Sequence, residues 1–306
     1  MKNIAAFVAV AMLVACVSAD ARFKDKVVLV TGGSSGIGYQ TALQFAQEGA
    51  KVVIAARGIH ASLEKAKQQI NEDKDVIANG GGAFPFQGDM TDMKKVEALF
   101  KFIKEDPALE KLDIAINGAG ISGPLGKMGE MKYTYTENDP VMNNVYATLN
   151  CLAKEEEMMV MTNTSGVILT ISAVEGLRPS SFYPRFAASK YALIGLSHSI
   201  ALRHITGIDG PYIRANVVCP GPTATRQLFN KAKFFTDKPQ QPWEGSEVTE
   251  DSKVWKDHEG NFTAHVPMGR IARPNEVANT ILWLCTDEAV HISGDSISVD
   301  GGMWAI

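Results

Sequence analysis

Cysteine is scarce in this sequence, which has four in 306 residues. Cys16 lies near the N-terminus, and the other three, Cys151, Cys219 and Cys285, are each embedded in an apolar segment. Domains that depend on disulfides contain a much higher density of cysteine. We therefore expect buried free thiols rather than a disulfide scaffold, with one disulfide and one remaining thiol as the alternative.

The sequence also lacks a surplus of charge. Its 30 lysines and arginines and 34 acidic residues give a formal net charge of -4, without a block of like charges. Nucleic-acid-binding proteins carry clustered positive charge, so we expect no nucleic-acid partner. We expect no metal site either.

The N-terminal apolar run is too short for a comfortable membrane span. It has about a dozen residues, whereas a span needs roughly 20. With one lysine before it and small residues at 17–19, it has the layout of a cleavable secretory signal over residues 1–19. We therefore expect a secreted protein without a spanning segment. The alternatives are an uncleaved apolar segment and a bacterial lipoprotein anchored through Cys16; in a eukaryotic secretory pathway, Asn163 and Asn261 match glycosylation acceptors.

Short β-branched runs alternate with longer amphipathic segments from Lys26 onward. The runs are apolar throughout, as in strands that are covered on both faces. Strands that alternate with helices form parallel sheets. We therefore predict a doubly wound α/β fold with a mostly parallel sheet, in one domain over residues 23–306, with its ligand site at the carboxyl ends of the strands. The predicted strands are KVVLVTG (26–32), KVVIAAR (51–57), LDIAING (112–118), GVILTIS (166–172), IRANVVCPG (213–221) and DSISVDGG (295–302).

One long polar stretch interrupts this pattern at residues 227–266. Loops of this length are uncommon unless they act as lids or are disordered. The stretch also contains phenylalanine, tryptophan and leucine, which favours a lid over the strand ends. A solvated insertion is the alternative.

A glycine-rich segment, TGGSSGIG (31–38), lies directly between the first predicted strand and the helix that follows. Glycine permits a tight turn there and lets backbone N–H groups approach a pyrophosphate at the positive end of the helix. A strand before the segment and a helix after it are the context that a dinucleotide-binding motif needs. The segment therefore predicts a dinucleotide site.

From about residue 23 to the C-terminus, the chain resembles the short-chain dehydrogenase/reductase family. Residues 31–38 match that family's T-G-x-x-x-G-x-G signature, and INGAG at 116–120 is similar to its N-N-A-G, with Gly118 in place of the second Asn. The resemblance implies a Rossmann fold, a nicotinamide dinucleotide, a small-molecule substrate and assembly into dimers or tetramers. The cofactor-binding residues that it implies are Thr31, Gly32, Ser34, Ser35, Gly36, Ile37, Gly38, Arg57, Asp89, Asn117, Lys190, Pro220, Gly221 and Thr225.

The end of the second strand indicates which dinucleotide is bound. An NAD enzyme usually places a carboxylate there for the ribose 2′-hydroxyl, whereas a nearby arginine accommodates the 2′-phosphate of NADP. Here Ala56 occupies the acidic position and Arg57 follows it. The sequence therefore favours NADP(H) over NAD(H); a merely solvated Arg57 is the alternative.

The residues expected to perform the chemistry depart from the family pattern. In this family a lysine lowers the pKa of a tyrosine four residues before it, and that tyrosine transfers the proton. Lys190 matches the lysine, but the tyrosine position holds Phe186. The serine that binds the substrate oxygen falls on Ala173, and Ser172 should face the other way. The asparagine matches Asn144, with Asn143 as the alternative.

Tyr183 is the nearest tyrosine to the vacant position. It precedes Pro184, which suits the first turn of a helix and disfavours helical geometry at the residue before it. We therefore expect Tyr183 to be a packing or rim residue; the alternative is that its side chain reaches the substrate cleft from the helix entry.

Two hypotheses follow from this pattern. The first is an NADP(H)-dependent oxidoreductase with an atypical active site, acting on a small apolar carbonyl or alcohol or on an activated double bond. The second is a secreted binding or structural protein that has kept the nucleotide site and lost the chemistry.

Overall fold

A computed structural model of the chain describes residues 21–58, 60–123, 126, 128, 139–208, 210–231, 250–251 and 253–305. The predicted signal segment 1–19, with Cys16, lies outside the described residues, as does the middle of the predicted lid at 232–249. The secretory signal and the lipid anchor therefore stay predictions.

The strands form one sheet in which every pair of neighbours is parallel. Its seven strands lie in the order β3-β2-β1-β4-β5-β6-β7. The predicted doubly wound α/β fold is confirmed. The order reverses between β1 and β4, and ligands bind outside the carboxyl ends of the strands at such a switch point. The strands are β1 (Val27–Thr31), β2 (Lys51–Ala56), β3 (Gly82–Gln87), β4 (Ile114–Asn117), β5 (Gly166–Ile171), β6 (Ile213–Pro220) and β7 (Ser296–Val299).

Helices cover both faces of the sheet. The described α-helices are α1 (Gly36–Gln47), α2 (His60–Asn71), α3 (Lys74–Asn79), α4 (Met93–Glu105), α5 (Tyr146–Met161), α6 (Pro184–His204), α7 (Arg226–Lys231), α8 (Lys253–His258), α9 (Gly260–Thr263) and α10 (Pro274–Leu284). A π-helical turn, Val141–Val145, leads into α5. A short 3-10 turn, Val174–Gly176, follows β5.

Two hydrophobic layers hold the helices against the sheet, because successive residues of each strand point to opposite faces. Val28 and Val30 of β1 pack with α1, α2 and α10 on one face. Val27 and Leu29 pack with α4, α5 and α6 on the other. Strands β1, β4, β5 and β6 are buried along their whole length, as expected for strands covered on both faces. Cys151, Cys219 and Cys285 are buried and free.

Strand β3, GAFPFQ, is absent from the strands predicted from the sequence. It lies at the edge of the sheet and pairs only with β2 among the described strands. It contains Pro85, which cannot donate a hydrogen bond and is tolerated at an edge. Part of β3 is also exposed, so it lacks the continuous apolar pattern of the inner strands.

The segment predicted as one long irregular lid contains helices in its described part. Leu228 and Phe229 of α7 form a small cluster with Trp255 of α8 and with Ile271. Phe229 packs edge-on against Trp255, and Phe262 stacks on the same indole ring. The aromatic residues in the described part of the predicted lid therefore form a separate small hydrophobic cluster. Among the described residues, none of the helices combines the length and apolar character that a membrane span requires.

Candidate active site

A cavity of about 1130 Å³ opens at the carboxyl ends of the strands. Small-molecule sites usually measure roughly 300–1,000 Å³, so this cavity has room for a cofactor together with a second molecule. Its wall runs from the glycine-rich loop after β1 to Phe262 and His265, beside α9. The lid and the dinucleotide motif therefore face one continuous space.

The glycine-rich loop requires glycine for two separate reasons. Gly32 and Gly36 have φ values of +74° and +57°, which side chains disfavour. At Gly38, an added Cβ would overlap the carbonyl oxygen of Gly32. Helix α1 can therefore begin against the preceding strand, with its first turn at the cavity wall.

The start of α1 is suited to bind phosphate. Among the described residues, no side chain caps this helix, since Ser35 makes no capping hydrogen bond. The backbone N–H groups of the first turn carry the positive end of the helix dipole. Ser34, Ser35, Ile37 and Gly38 all line the cavity, so these donors face a space in which a pyrophosphate fits.

Thr31 and Asn117 are outside the cavity lining and support the loops behind it. Thr31 Oγ1 accepts from the backbone N–H groups of Gly118 and Ala119, both at 3.2 Å. Asn117 Nδ2 donates to Glu155 Oε2 at 2.8 Å. Burial raises the pKa of Glu155 to about 8, against the opposing effect of that hydrogen bond. We therefore expect Thr31 and Asn117 to act on a bound cofactor indirectly, by holding the loop after β4 in place.

Arg57 and Asp89 lie together in the cavity wall, just after β2 and β3. Arg57 donates to Asn143 Oδ1 at 2.7 Å and lies 3.5 Å from Asp89 Oδ2. Burial favours the neutral form of Asp89, but hydrogen bonds from Thr91 and the nearby Arg57 lower its pKa overall. The guanidinium is half exposed to the cavity, so a phosphate can reach it.

Lys190 lies inside the cavity on the buried face of α6. Its Nζ donates to the carbonyl oxygen of Ile171 at 2.8 Å. Burial lowers the pKa of Lys190 to about 8, and the nearby Cys219 and Glu175 oppose that shift. A Cβ at Gly120 would lie 3.1 Å from Asn144 Oδ1 and 3.7 Å from Lys190 Nζ, which places Asn144 and Lys190 close together beside Gly120.

The two candidate asparagines of the π-helical turn point in different directions. Asn144 exchanges two hydrogen bonds with the backbone of Ile121 and donates to Ser189 Oγ. It is fully buried and braces α6 against the loop after β4. Asn143 instead lines the cavity and accepts from Arg57. The sequence did not indicate this contact between Asn143 and Arg57.

Two positions that hold hydroxyl groups in the family that the sequence resembles carry apolar side chains here. Ala173 and Phe186 both line the cavity and are largely buried. Ser172 Oγ donates to the backbone oxygen of Lys190 at 2.9 Å, so its hydroxyl is engaged by α6. The cavity therefore has the expected lysine without either of the expected hydroxyls.

Tyr183 lies at the entry of α6, immediately before Pro184, as expected. Its ring packs edge-on against Phe186, with the ring centroids 6.4 Å apart. Burial, together with Glu175, raises the pKa of Tyr183. Tyr183 therefore reaches the cavity, but its surroundings oppose ionisation of the hydroxyl.

Lys231 is the cavity residue that sequence reasoning missed. It ends α7, and its Nζ lies over the rings of Tyr183, at 4.5 Å, and Phe186, at 5.2 Å. The sequence shows Lys231 only as one of several lysines in the predicted lid, and no motif distinguishes it from the others.

The loop after β6 forms part of the cavity wall. Pro220, Gly221 and Thr225 all line it. Thr225 Oγ1 accepts from Leu228 N at 3.3 Å, which begins α7. The Thr225 methyl carbon lies 3.2 Å from the position that a Cβ on Gly36 would take. The phosphate loop and the lid helix are therefore in contact through Thr225.

Comparisons with known proteins agree with this geometry. A family model described as short chain dehydrogenase matches residues 26–233. The 3beta-hydroxysteroid dehydrogenase of Mediterraneibacter gnavus is 32% identical over 286 residues, which cover 92% of this chain and 95% of that protein. A 3-oxoacyl-(acyl-carrier-protein) reductase of Staphylococcus aureus is 29% identical over 281 residues, which cover 91% and 98%. Among solved structures, L-sorbose reductase from Gluconobacter frateurii, complexed with NADPH and L-sorbose, is similar with a TM-score of 0.77 and 26% identity, covering 94% of this chain and 99% of that one.

A methyl group at Gly38 tests whether the close packing of the loop is needed for dinucleotide binding. We expect Gly38→Ala to abolish NADPH binding in a fluorescence titration, because the new Cβ pushes α1 away from the Gly32 carbonyl. Gly195→Ala is the matched control, since a Cβ there meets open space and alanine favours a helix. Tight NADPH binding by a folded Gly38→Ala variant would contradict the assignment.

Proposed function

Because this chain belongs to the short-chain dehydrogenase/reductase family, we propose that it is an NADP(H)-dependent oxidoreductase with an atypical active site. One observation carries the proposal. A single cavity joins the first turn of α1 to Lys190 and to the lid residues of α7. A site kept only for nucleotide binding does not need a second compartment beside the nicotinamide end.

The residues of the cofactor side fit a phosphorylated dinucleotide. The first turn of α1 provides donors for the pyrophosphate, and Ala56 leaves no carboxylate to repel a 2′-phosphate. Arg57 can bind that phosphate through two parallel hydrogen bonds. The NADPH present in the related L-sorbose reductase structure supports the same choice.

A bound NADP(H) supplies or accepts the hydride, and the protein has to provide everything else. Lys190 can hold the ribose and keep positive charge near the reacting oxygen. Thr225, at the end of the β6 loop, can hold the nicotinamide amide. Asn144 acts indirectly, since its hydrogen bonds fix the loop at Ile121 and helix α6 in place.

The substrate compartment favours a small molecule with an apolar part. Phe182, Leu228 and Phe262 line the cavity and offer hydrophobic contact to such a molecule. The named activities of the hydroxysteroid dehydrogenase and the oxoacyl reductase support a carbonyl or an alcohol as the reacting group. An activated double bond is the other substrate that this arrangement could reduce.

Binding without turnover is a second candidate function, and one observation favours it. In the short-chain dehydrogenase/reductase family, a serine hydroxyl and a tyrosine hydroxyl contact the substrate oxygen. Here Ala173 and Phe186 occupy those two positions. A positioned acid or base contributes about 10²–10⁴ to a rate, and one oxygen-binding donor contributes a comparable factor. Secretion, as the N-terminal segment predicts, points in the same direction because reduced dinucleotide is scarce outside cells.

Secretion and assembly into a dimer or tetramer belong to the same proposal. The exposed apolar residues Tyr146 and Leu149 of α5 and Leu202 of α6 support association through these helices. The layout of residues 1–19 supports export, and anchoring through Cys16 is the alternative. An intact N-terminus found by N-terminal sequencing would contradict cleavage of the signal. A monomer found by sedimentation of the purified protein would contradict assembly.

Arg57 provides the test of cofactor choice. We expect the native protein to bind NADPH more tightly than NADH in a fluorescence titration, because only NADPH carries the ribose 2′-phosphate that Arg57 can bind. Arg57→Ala should weaken NADPH binding about tenfold or more, since a charge-assisted hydrogen bond contributes ~1.5–3 kcal/mol, and should leave NADH binding almost unchanged. Arg203→Ala, an exposed arginine on α6, is the control. Equal affinities for the two dinucleotides in the native protein would refute the choice.

Restoring the two missing hydroxyls separates the two candidate functions. With NADPH and a panel of apolar aldehydes, ketones and enones, we expect detectable turnover by the native protein. The double variant Ala173→Ser with Phe186→Tyr should be faster by about 10²-fold or more, because Lys190 can then lower the pKa of the new phenol.

Phe182→Tyr is the matched control for this experiment. It also adds a phenol to the cavity lining, but at a position before α6, so it should not increase the rate. A silent native protein beside an active double variant would favour binding without turnover. Silence of both proteins would contradict an oxidoreductase site here.

A further inference from the structure

The ring of Phe186 lies close to two ammonium groups. Lys190 Nζ is 5.6 Å from the ring centroid, and Lys231 Nζ is 5.2 Å from it. A cation is attracted to the face of an aromatic ring within about 6 Å. Lys231 therefore lies beside Phe186, the residue that occupies the position of the family's proton-transferring tyrosine.

Packing of the lid fixes Lys231 in this place. It is the last residue of α7, which begins at the hydrogen bond between Leu228 N and Thr225 Oγ1. Leu228 and Phe229 anchor the same helix in the cluster around Trp255. The ring of Tyr183 supports the ammonium at 4.5 Å, so Lys231 is held inside the cavity by contacts on two sides.

The other polar side chains near Phe186 are less suited to donate a proton. Ser172 donates its hydroxyl hydrogen to the backbone oxygen of Lys190. Lys190 uses one of its three N–H donors on the backbone oxygen of Ile171, and its Nζ lies farther from the Phe186 ring centroid than that of Lys231. Burial raises the pKa of Tyr183 and that of Cys219, to about 11, so both hold their protons firmly. Lys231 has an ammonium group in the cavity beside the vacant hydroxyl position.

We propose that Lys231 is the proton donor of this active site, transferring a proton from Nζ to the oxygen of a carbonyl substrate in place of the missing tyrosine. The proposal rests on the proposed oxidoreductase function. Reduction forms a C–H bond with the hydride of NADPH and an O–H bond with the proton of Lys231, which breaks one N–H bond. Lys231 becomes a neutral amine, the dinucleotide becomes NADP⁺, and water returns the proton to the amine. In alcohol oxidation the neutral amine accepts the proton.

The environment of Lys231 makes its ammonium group a stronger acid than that of an ordinary lysine. Burial lowers the pKa of Lys231, and the carboxylate of Glu175 opposes that shift. The other titratable or charged groups around the same compartment are Tyr183, Lys190, Arg178, Arg226 and His265. Because the protonated amine is the active form, carbonyl reduction should slow as the pH rises through the lowered pKa of Lys231, at a pH below the ordinary lysine value of about 10.4.

Two substitutions distinguish a proton donor from a site for an anionic substrate. Lys231→Met removes the ammonium, and Lys231→Arg keeps a positive charge that cannot be deprotonated. With NADPH and the carbonyl of the panel that the native protein reduces fastest, both variants should lose about 10²–10⁴ in kcat. Their NADPH affinity in the fluorescence titration should stay unchanged. Lys256→Met, at an exposed lysine of the same lid, should behave as the native protein.

Other outcomes would overturn the proposal. Retention of kcat by Lys231→Arg, with a raised KM in Lys231→Met, would identify Lys231 as a binding site for a negatively charged substrate group. Turnover that is insensitive to both substitutions would exclude any role for Lys231 and leave the oxidoreductase function standing. A native protein that binds NADPH but reduces no carbonyl would also refute Lys231 as a donor, whereas failure to bind NADPH would refute the proposed function itself.

A measurement without substrate tests the same proposal. In protein labelled with ¹³C at the lysine ε-carbon, the resonance that disappears in Lys231→Met but persists in Lys256→Met should titrate below the ordinary lysine value of about 10.4. Thermal unfolding of both variants establishes that they are folded. Titration of Lys231 at or above that ordinary lysine value would contradict the proposal.

Discussion

The contact between Gly38 and the carbonyl oxygen of Gly32 is the constraint on which the cofactor side of the structure depends. Because Gly38 has no side chain, α1 begins directly against the loop after β1, and its uncapped first turn faces the cavity. A Cβ on Gly32 would lie 2.8 Å from the backbone oxygen of Gly118, so the loops after β1 and β4 are also in contact. Thr31 ties the same two loops together with its hydroxyl. Arg57 and Thr225 then lie on either side of this packed centre.

The substrate side keeps positive charge where it has lost hydroxyl groups. A lysine beside a tyrosine lowers the pKa of the phenol, but beside Phe186 it meets only the face of a ring. Lys190 and Lys231 nevertheless remain in the cavity, and burial lowers the pKa of both ammonium groups. Fixed positive charge in an enclosed site stabilises negative charge that develops on an oxygen. The proposed reduction of a carbonyl relies on this charge and on one of the two amines to supply the proton.

Sequence patterns predicted the inner strands, the phosphate loop and the replaced hydroxyls because each depends on local spacing. Strand β3 escaped prediction because an edge strand can contain Pro85 and need not be apolar on both faces. Thr31 and Asn117 match the family signature, yet the structure places both behind the cavity wall, where they hold loops. Lys231 escaped prediction for a different reason. Its position depends on how α7 packs against Trp255, a contact between residues far apart in sequence, and its partner Phe186 precedes it in a separate motif.

A crystal structure of the protein grown with NADPH tests the central claim, that the cofactor side is intact while lysine replaces hydroxyl at the substrate side. We predict the pyrophosphate at the first turn of α1, the 2′-phosphate on Arg57 and the nicotinamide between Thr225 and Lys190. We also predict Lys231 Nζ on the substrate face of the nicotinamide. A dinucleotide bound elsewhere, or a nicotinamide whose substrate face is remote from Lys231, would contradict it.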